Sequence, residues 1–159
     1  KKIHLLIEAY KHIKTDKKLV IAGGSSDSNE YVEKLHEMAA DDDRIIFTDF
    51  VQGKVLEELY SNAYIYVLPS ELEGMPLSLL EAMSYGNCCL TSDIAECVDV
   101  VGNNAVSFKK NDVDDLTDKL KELCDKKDMV ENLKSQAADY ICNKYNWDVA
   151  RETVKIYQS

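Results

Sequence analysis

The sequence has no apolar run of about 18 residues, the length that a membrane-spanning helix requires, so no membrane span is predicted. It is also short of basic residues: 19 Lys and Arg stand against 29 Asp and Glu, for a net charge of −10 at pH 7. Nucleic-acid binding needs clustered Lys and Arg against phosphates, so no nucleic-acid partner is expected. The 159 residues, 45% of them hydrophobic, suit one globular domain with an ordinary core.

Cysteine and histidine are few and scattered. The five cysteines do not form pairs at the short intervals that zinc sites use, and His4, His12 and His36 are dispersed. We therefore predict no metal site. An odd number of unpatterned cysteines is typical of a reducing compartment, where they act as small hydrophobic residues. A cytoplasmic location is the corresponding expectation.

Helical and strand periodicities alternate along the chain. Apolar strands are predicted at 18–24, 44–50, 64–69, 88–92 and 105–108, and helical stripes at 3–13, 31–38, 55–60 and 76–85. After residue 112 the chain is predicted to be wholly helical, with a last helix from about Trp147. Apolar strands separated by helices indicate a doubly wound α/β domain, whose parallel sheet is covered on two sides. Because such domains usually open with a strand, we expect a fragment whose first strand lies upstream.

The loop "PSELEGMPL", residues 69–77, follows the third predicted strand. Ligands of open parallel sheets bind beyond the carboxyl ends of the strands, in loops of this kind. Pro76 suits the first turn of the following helix, so the N–H groups of Leu77, Ser78 and Leu79 are predicted to be unpaired. With Gly74 permitting close backbone approach, the loop is a candidate phosphate cradle.

One glutamate, Glu73, lies in this loop, and another, Glu81, lies in the helix that follows. Glu81 lies four residues after Leu77, on the same helical face, among apolar neighbours. A carboxylate there could accept two hydrogen bonds from the vicinal diol of a ribose, as acidic residues do in dinucleotide folds. Glu73 precedes the helix and faces the same site. The ordinary alternatives are that Glu81 reaches solvent or a lysine, and that Glu73 is a loop acid beside Glu71.

The stretch "EGMPLSLLEAMSYG", residues 73–86, resembles the signature of the large retaining glycosyltransferase family that includes glycogen synthases and sucrose synthases. The family pattern places two glutamates eight positions apart, as Glu73 and Glu81 are. "KKIHLLIEAY", "LVIAGG" and "IIFTDFV" are similar to further family segments, in the same order. The resemblance implies the GT-B architecture, which pairs two Rossmann-like domains. Residues 1–159 would be the donor-binding domain, and the N-terminal acceptor domain would be absent.

The family transfers a sugar from a nucleotide diphosphate sugar to an acceptor, with retention of configuration and without a metal ion or other cofactor. The resemblance thus implies a hexosyltransferase acting on a saccharide or lipid-linked acceptor, in polysaccharide or glycoconjugate biosynthesis. The expected partners are the nucleotide diphosphate sugar and the missing acceptor domain. The whole enzyme would be cytoplasmic or peripheral at the inner face of the membrane, and the isolated chain would be inactive.

The resemblance assigns two catalytic residues. Glu73 matches the glutamate that meets the donor sugar near its reacting carbon, and Lys1 matches the lysine that neutralises the departing diphosphate. Glu81 matches the glutamate that binds the ribose hydroxyls. The other donor-binding candidates are Gly74, Met75, Pro76 and Leu77 for the sugar and diphosphate, Gly23 and Gly24 for the nucleotide, and Val51 and Tyr60 for the base.

Two other functional classes remain open. One is a non-catalytic binding module similar to flavodoxin or to a receiver domain, although the first strand here ends in Gly-Gly rather than in the acids of a receiver. The other is a different GT-B enzyme, such as a nucleotide-sugar epimerase. An epimerase shares the donor pocket but lacks the segment "EGMPLSLLEAM" in this form.

Overall fold

The computed structural model describes residues 1–23 and 28–145, in which helices and strands alternate up to the fifth strand. The helices are α1 (Ile3–Lys11), α2 (Asn29–Ala39), α3 (Lys54–Asn62), α4 (Leu77–Ser84), α5 (Ala95–Val101), α6 (Val113–Asp125) and α7 (Lys127–Lys144). The strands are β1 (Leu19–Ala22), β2 (Ile45–Asp49), β3 (Tyr66–Leu68), β4 (Cys89–Ser92) and β5 (Val106–Phe108). The predicted helix from Trp147 lies outside the described residues.

All strand pairs are parallel, and a helix connects each pair. β1 pairs with β2, and β4 lies between β3 and β5 in a second sheet. Parallel pairing requires a crossover connection, which α2, α4 and α5 provide. The parallel α/β class predicted from the sequence is confirmed. The expected strand upstream of α1 stays a prediction.

The position of β4 shows that helices cover both of its faces. Leu90 belongs to a core cluster that includes residues of α1 and α6, whereas Cys89 belongs to a second cluster that includes residues of α3, α4 and α5. Because successive side chains of a strand point to opposite faces, every residue of β4 is buried. This double covering holds the carboxyl end of β4 rigidly between the two layers.

The structure differs from the prediction at two places. Helix α5 was not predicted, because it has only seven residues, although Cys97, Val100 and Val101 form a short buried stripe. Within the described ranges, the covering of the second face of the sheet is incomplete at the paired strands β1 and β2. Val20 and Ile46 lie opposite each other and are 40% and 37% exposed.

None of the helices within 1–23 and 28–145 combines the length and the apolar character that crossing a membrane would demand.

A buried hydroxyl offers a test of the core. Thr91 Oγ1 of β4 is buried and has no hydrogen-bond partner among the described residues. Thr91→Val replaces this hydroxyl by a methyl group of similar size, so we expect the free energy of unfolding to rise by about 1 kcal/mol. Urea unfolding measures this change. In the control Thr117→Val the lost hydroxyl donates to Val113 O at 2.7 Å, and no gain is expected. Destabilisation by Thr91→Val would contradict the prediction.

Candidate functional site

Two buried serines, Ser70 and Ser92, hold the loop between β3 and α4 in place through hydrogen bonds. Ser70, fully buried, donates from Oγ to Glu73 Oε1 at 2.5 Å. Ser92, at the end of β4, is also buried and donates from Oγ to the main-chain oxygen of Ser70. The half-buried carboxylate of Glu73 is thereby tied to the carboxyl ends of two neighbouring strands.

Glu71, two residues earlier, has different partners. Its exposed carboxylate accepts hydrogen bonds from Lys2 Nζ at 2.9 Å and Asn111 Nδ2 at 3.1 Å. The Lys2 ammonium and the Asn111 amide hold the pKa of this carboxyl below its usual range. Glu71 therefore connects the loop to the N-terminal segment and to the loop after β5, while Glu73 lies over the sheet.

The start of α4 differs from the predicted phosphate cradle. Pro76 has φ −76° and ψ 73° and precedes the helix instead of lying in its first turn. These are the angles of an inverse γ-turn, in which Leu77 N–H donates to Met75 O at 2.8 Å. Leu79 N–H donates to Pro76 O at 3.0 Å. The prediction of three unpaired N–H groups is thus wrong for two of them.

The open side of α4 carries apolar side chains and one carboxylate. Leu77 is 68% exposed and Met75 52% exposed, and Glu81 is exposed one turn after Leu77. The opposite side buries Leu79 and Met83 completely. Glu81 therefore lies on the exposed face of α4 that it shares with Leu77, as the spacing of the two residues predicted.

The phenol of Tyr60 on α3 is the neighbour of Glu81. Burial, followed by the Glu81 carboxylate, raises the pKa of Tyr60 to about 12. The Tyr60 ring is 9% exposed and stacks on Tyr85, with ring centroids 5.3 Å apart. The ring of Tyr66 also lies near that of Tyr60, with centroids 6.0 Å apart, and the Tyr66 hydroxyl donates to Ser78 Oγ at 2.7 Å. The Glu81 carboxylate thus lies beside Tyr60, in a group of aromatic rings that also contains Tyr66 and Tyr85.

The remaining predicted residues lie at the carboxyl ends of strands or next to them. Gly23 directly follows β1 with φ 150° and donates its N–H to Asp49 O at 2.8 Å. Lys1 adjoins Lys2, whose N–H donates to Pro69 O at 3.3 Å beside the loop. Val51 is half-buried between β2 and α3. Gly24 lies outside the described residues, and Tyr60, expected at the base, is only 9% exposed.

Comparison with known proteins decides the family. The model of the family described as "Glycosyl transferases group 1" matches residues 1–140. The chain belongs to this family. Its fold is one Rossmann-like half of the GT-B architecture, as the sequence predicted.

Two curated relatives and one solved structure show how much of a glycosyltransferase this chain represents. It is 29% identical to an uncharacterized glycosyltransferase of Methanocaldococcus jannaschii, over 99% of this chain and 42% of that protein. It is 30% identical to O-antigen chain mannosyltransferase B of Escherichia coli, over 72% of this chain and 31% of that protein. The structure of Anabaena HepE in complex with UDP and glucose superposes with a TM-score of 0.85 at 17% identity, over 98% of this chain and 45% of that one. The chain thus spans less than half the length of these relatives.

In this glycosyltransferase chain, Ser70 and Ser92 are site residues that the sequence did not reveal. Both follow apolar strand segments, in the dipeptides "PS" and "TS", which resemble ordinary turn chemistry. Only the parallel pairing of β3 with β4 brings them together.

Proposed function

We propose that the chain is the donor-binding domain of a retaining hexosyltransferase that uses a nucleotide diphosphate sugar. The single observation that carries the proposal is the arrangement of Glu73 and Glu81. The Glu73 carboxylate is hydrogen-bonded to Ser70 at the carboxyl edge of the sheet, and the Glu81 carboxylate is exposed on α4 beside Tyr60. Family membership and the UDP and glucose in the complex of HepE support a nucleotide sugar as the ligand.

The two ends of such a donor need different chemistry. The ribose offers a vicinal diol, which the exposed Glu81 carboxylate can accept in two hydrogen bonds. The bond between the sugar and the diphosphate breaks with positive charge developing at the anomeric carbon, which the Glu73 carboxylate would stabilise. Negative charge develops on the departing diphosphate, and Lys1 would neutralise it. The backbone of Gly74, Met75 and Leu77 would approach the sugar and diphosphate, without a metal ion.

The acceptor is proposed to be a saccharide or lipid-linked saccharide, in line with the O-antigen mannosyltransferase among the relatives. The acceptor domain would be a second Rossmann-like half, outside this chain. A domain that holds only the donor cannot orient an acceptor, so the chain alone should bind nucleotide and transfer nothing. The family match argues against the flavodoxin-like and receiver-like alternatives.

Nucleotide binding tests the donor site directly. We expect saturation-transfer NMR to detect UDP, GDP or ADP on the protein, and Glu81→Ala to weaken that binding about 10- to 100-fold, since two charge-assisted hydrogen bonds are lost. The control Glu33→Ala removes an exposed carboxylate of α2 and should leave binding unchanged.

Two outcomes would contradict this assignment. Undiminished binding by the Glu81→Ala variant would mean that Glu81 does not hold the ribose. Absence of binding by all three nucleotides, in the full-length protein as well as in this chain, would contradict the donor site itself.

A further inference from the structure

We propose that Ser70 is a positioning residue that holds the Glu73 carboxylate in its reactive orientation, and that Ser92 in turn fixes Ser70. The inference rests on the proposed function, because it concerns how Glu73 is aimed at the donor.

The hydrogen-bond geometry is directional. A serine hydroxyl has one hydrogen to donate, and Ser70 donates it to Glu73 Oε1 at 2.5 Å. Ser92 Oγ donates to the main-chain oxygen of Ser70, which restrains the backbone of that residue. One carboxylate oxygen of Glu73, Oε1, is thus engaged by Ser70, and the other, Oε2, takes no part in this hydrogen bond.

The two serine side chains in these hydrogen bonds are buried, so water does not compete for them. Ser70 is 0% exposed and Ser92 is 1% exposed, and buried hydroxyls are retained where they find partners. The β3–β4 register places Thr91 opposite Leu68, so the chain segments after this pair, which contain Ser70 and Ser92, run side by side. A rigid, doubly covered strand therefore supports the hydroxyl that contacts Glu73.

The rest of the loop offers Glu73 little packing. Leu72 and Met75, which flank it, are 78% and 52% exposed, so their side chains do not anchor the loop in the core. The Glu71 side chain is engaged elsewhere, with Lys2 and Asn111. Among the described residues, the hydrogen bond from Ser70 is thus the main interaction that fixes the orientation of the Glu73 carboxylate.

A positioning role and a merely structural role predict different kinetics. Loss of orientation lowers the rate of the chemical step while donor binding persists, because Glu81 and the backbone still hold the donor. A merely structural role would lower the melting temperature and raise KM together with any loss in kcat. A residue that acts only through Glu73 should also have no effect once Glu73 is inactive.

The experiment is a double-mutant cycle in the full-length enzyme, with UDP-glucose, GDP-mannose and ADP-glucose as donor probes and release of nucleoside diphosphate as the readout. We expect Ser70→Ala to lower kcat about 10- to 100-fold with the donor KM within about threefold. Ser92→Ala should act in the same direction, about 3- to 10-fold. In the Glu73→Gln background, adding Ser70→Ala should lower kcat no further.

Controls separate the possible failures. Ser84→Ala removes a hydroxyl that donates only to Glu81 O within α4, and it should leave kcat unchanged. Ser70→Thr retains the hydroxyl and should restore most of the activity if it folds, which thermal unfolding reports. An unchanged kcat in Ser70→Ala, or fully additive losses in the double variant, would overturn the positioning role. An unchanged kcat in Glu73→Gln would instead overturn the proposed role of Glu73.

Discussion

Replacing Glu73 by glutamine is expected to lower kcat of the full-length enzyme about 10³-fold, or about 4 kcal/mol of transition-state stabilisation. Glutamine preserves the size of the side chain and an oxygen that can accept from Ser70 Oγ. It removes the negative charge that would face the anomeric carbon as the bond to the diphosphate breaks. Because this charge matters most in the transition state, the donor KM should change little. Steady-state kinetics with a nucleotide sugar measure both constants.

Glu71→Gln is the matched control in the same loop. Glu71 is exposed and paired with Lys2, and solvent-exposed ion pairs contribute little to stability. Its replacement should change kcat about threefold at most. Equal losses from the two variants would contradict the division of roles between the two glutamates.

Leu79→Ala is expected to lower the free energy of unfolding by about 3–4 kcal/mol. Leu79 is fully buried in α4, in the cluster that also contains Leu68 of β3, Cys97 of α5 and Ile141 of α7. Truncation removes apolar contacts on several sides and leaves a cavity that these elements cannot easily close. Because α4 carries Glu81, nucleotide affinity should fall as well.

Urea unfolding followed by circular dichroism measures this change in stability. The control Leu77→Ala lies two residues earlier in the same helix at a position 68% exposed, and it should cost less than about 0.5 kcal/mol. Comparable losses at both positions would mean that α4 is not packed as described.

The signals that the sequence carried were local ones. Helix and strand periodicities predicted α1 to α4 and β1 to β5, because burial of one helical stripe or of a whole strand leaves a repeat in the residues themselves. Gly86 lies two residues after the end of α4 with φ 75°, a conformation that glycine adopts at little cost and that is typical of helix ends. The spacing of Glu81 from Leu77 correctly predicted a shared helical face.

The start of α4 shows where local rules were insufficient. Proline is compatible both with the first turn of a helix and with an inverse γ-turn, since both have φ near −65° to −75°. The structure selects the γ-turn at Pro76, which pairs the Leu77 N–H with Met75 O. The choice between these two conformations depends on how the loop meets the helix, and the residue type alone does not determine it.

By itself, the sequence determined the α/β class, the family and the positions of two glutamates, one in the loop after β3 and one in the helix that follows, because these depend on residue types at short, regular spacings. Only the tertiary structure distinguished Glu73, tied to buried Ser70, from Glu71, paired with Lys2 at the surface. It also brought Ser92 to Ser70, 22 residues apart in the chain. Contacts of this kind arise from strand pairing and helix packing. Two glutamates only two residues apart, Glu71 and Glu73, can therefore acquire different partners and different chemistry.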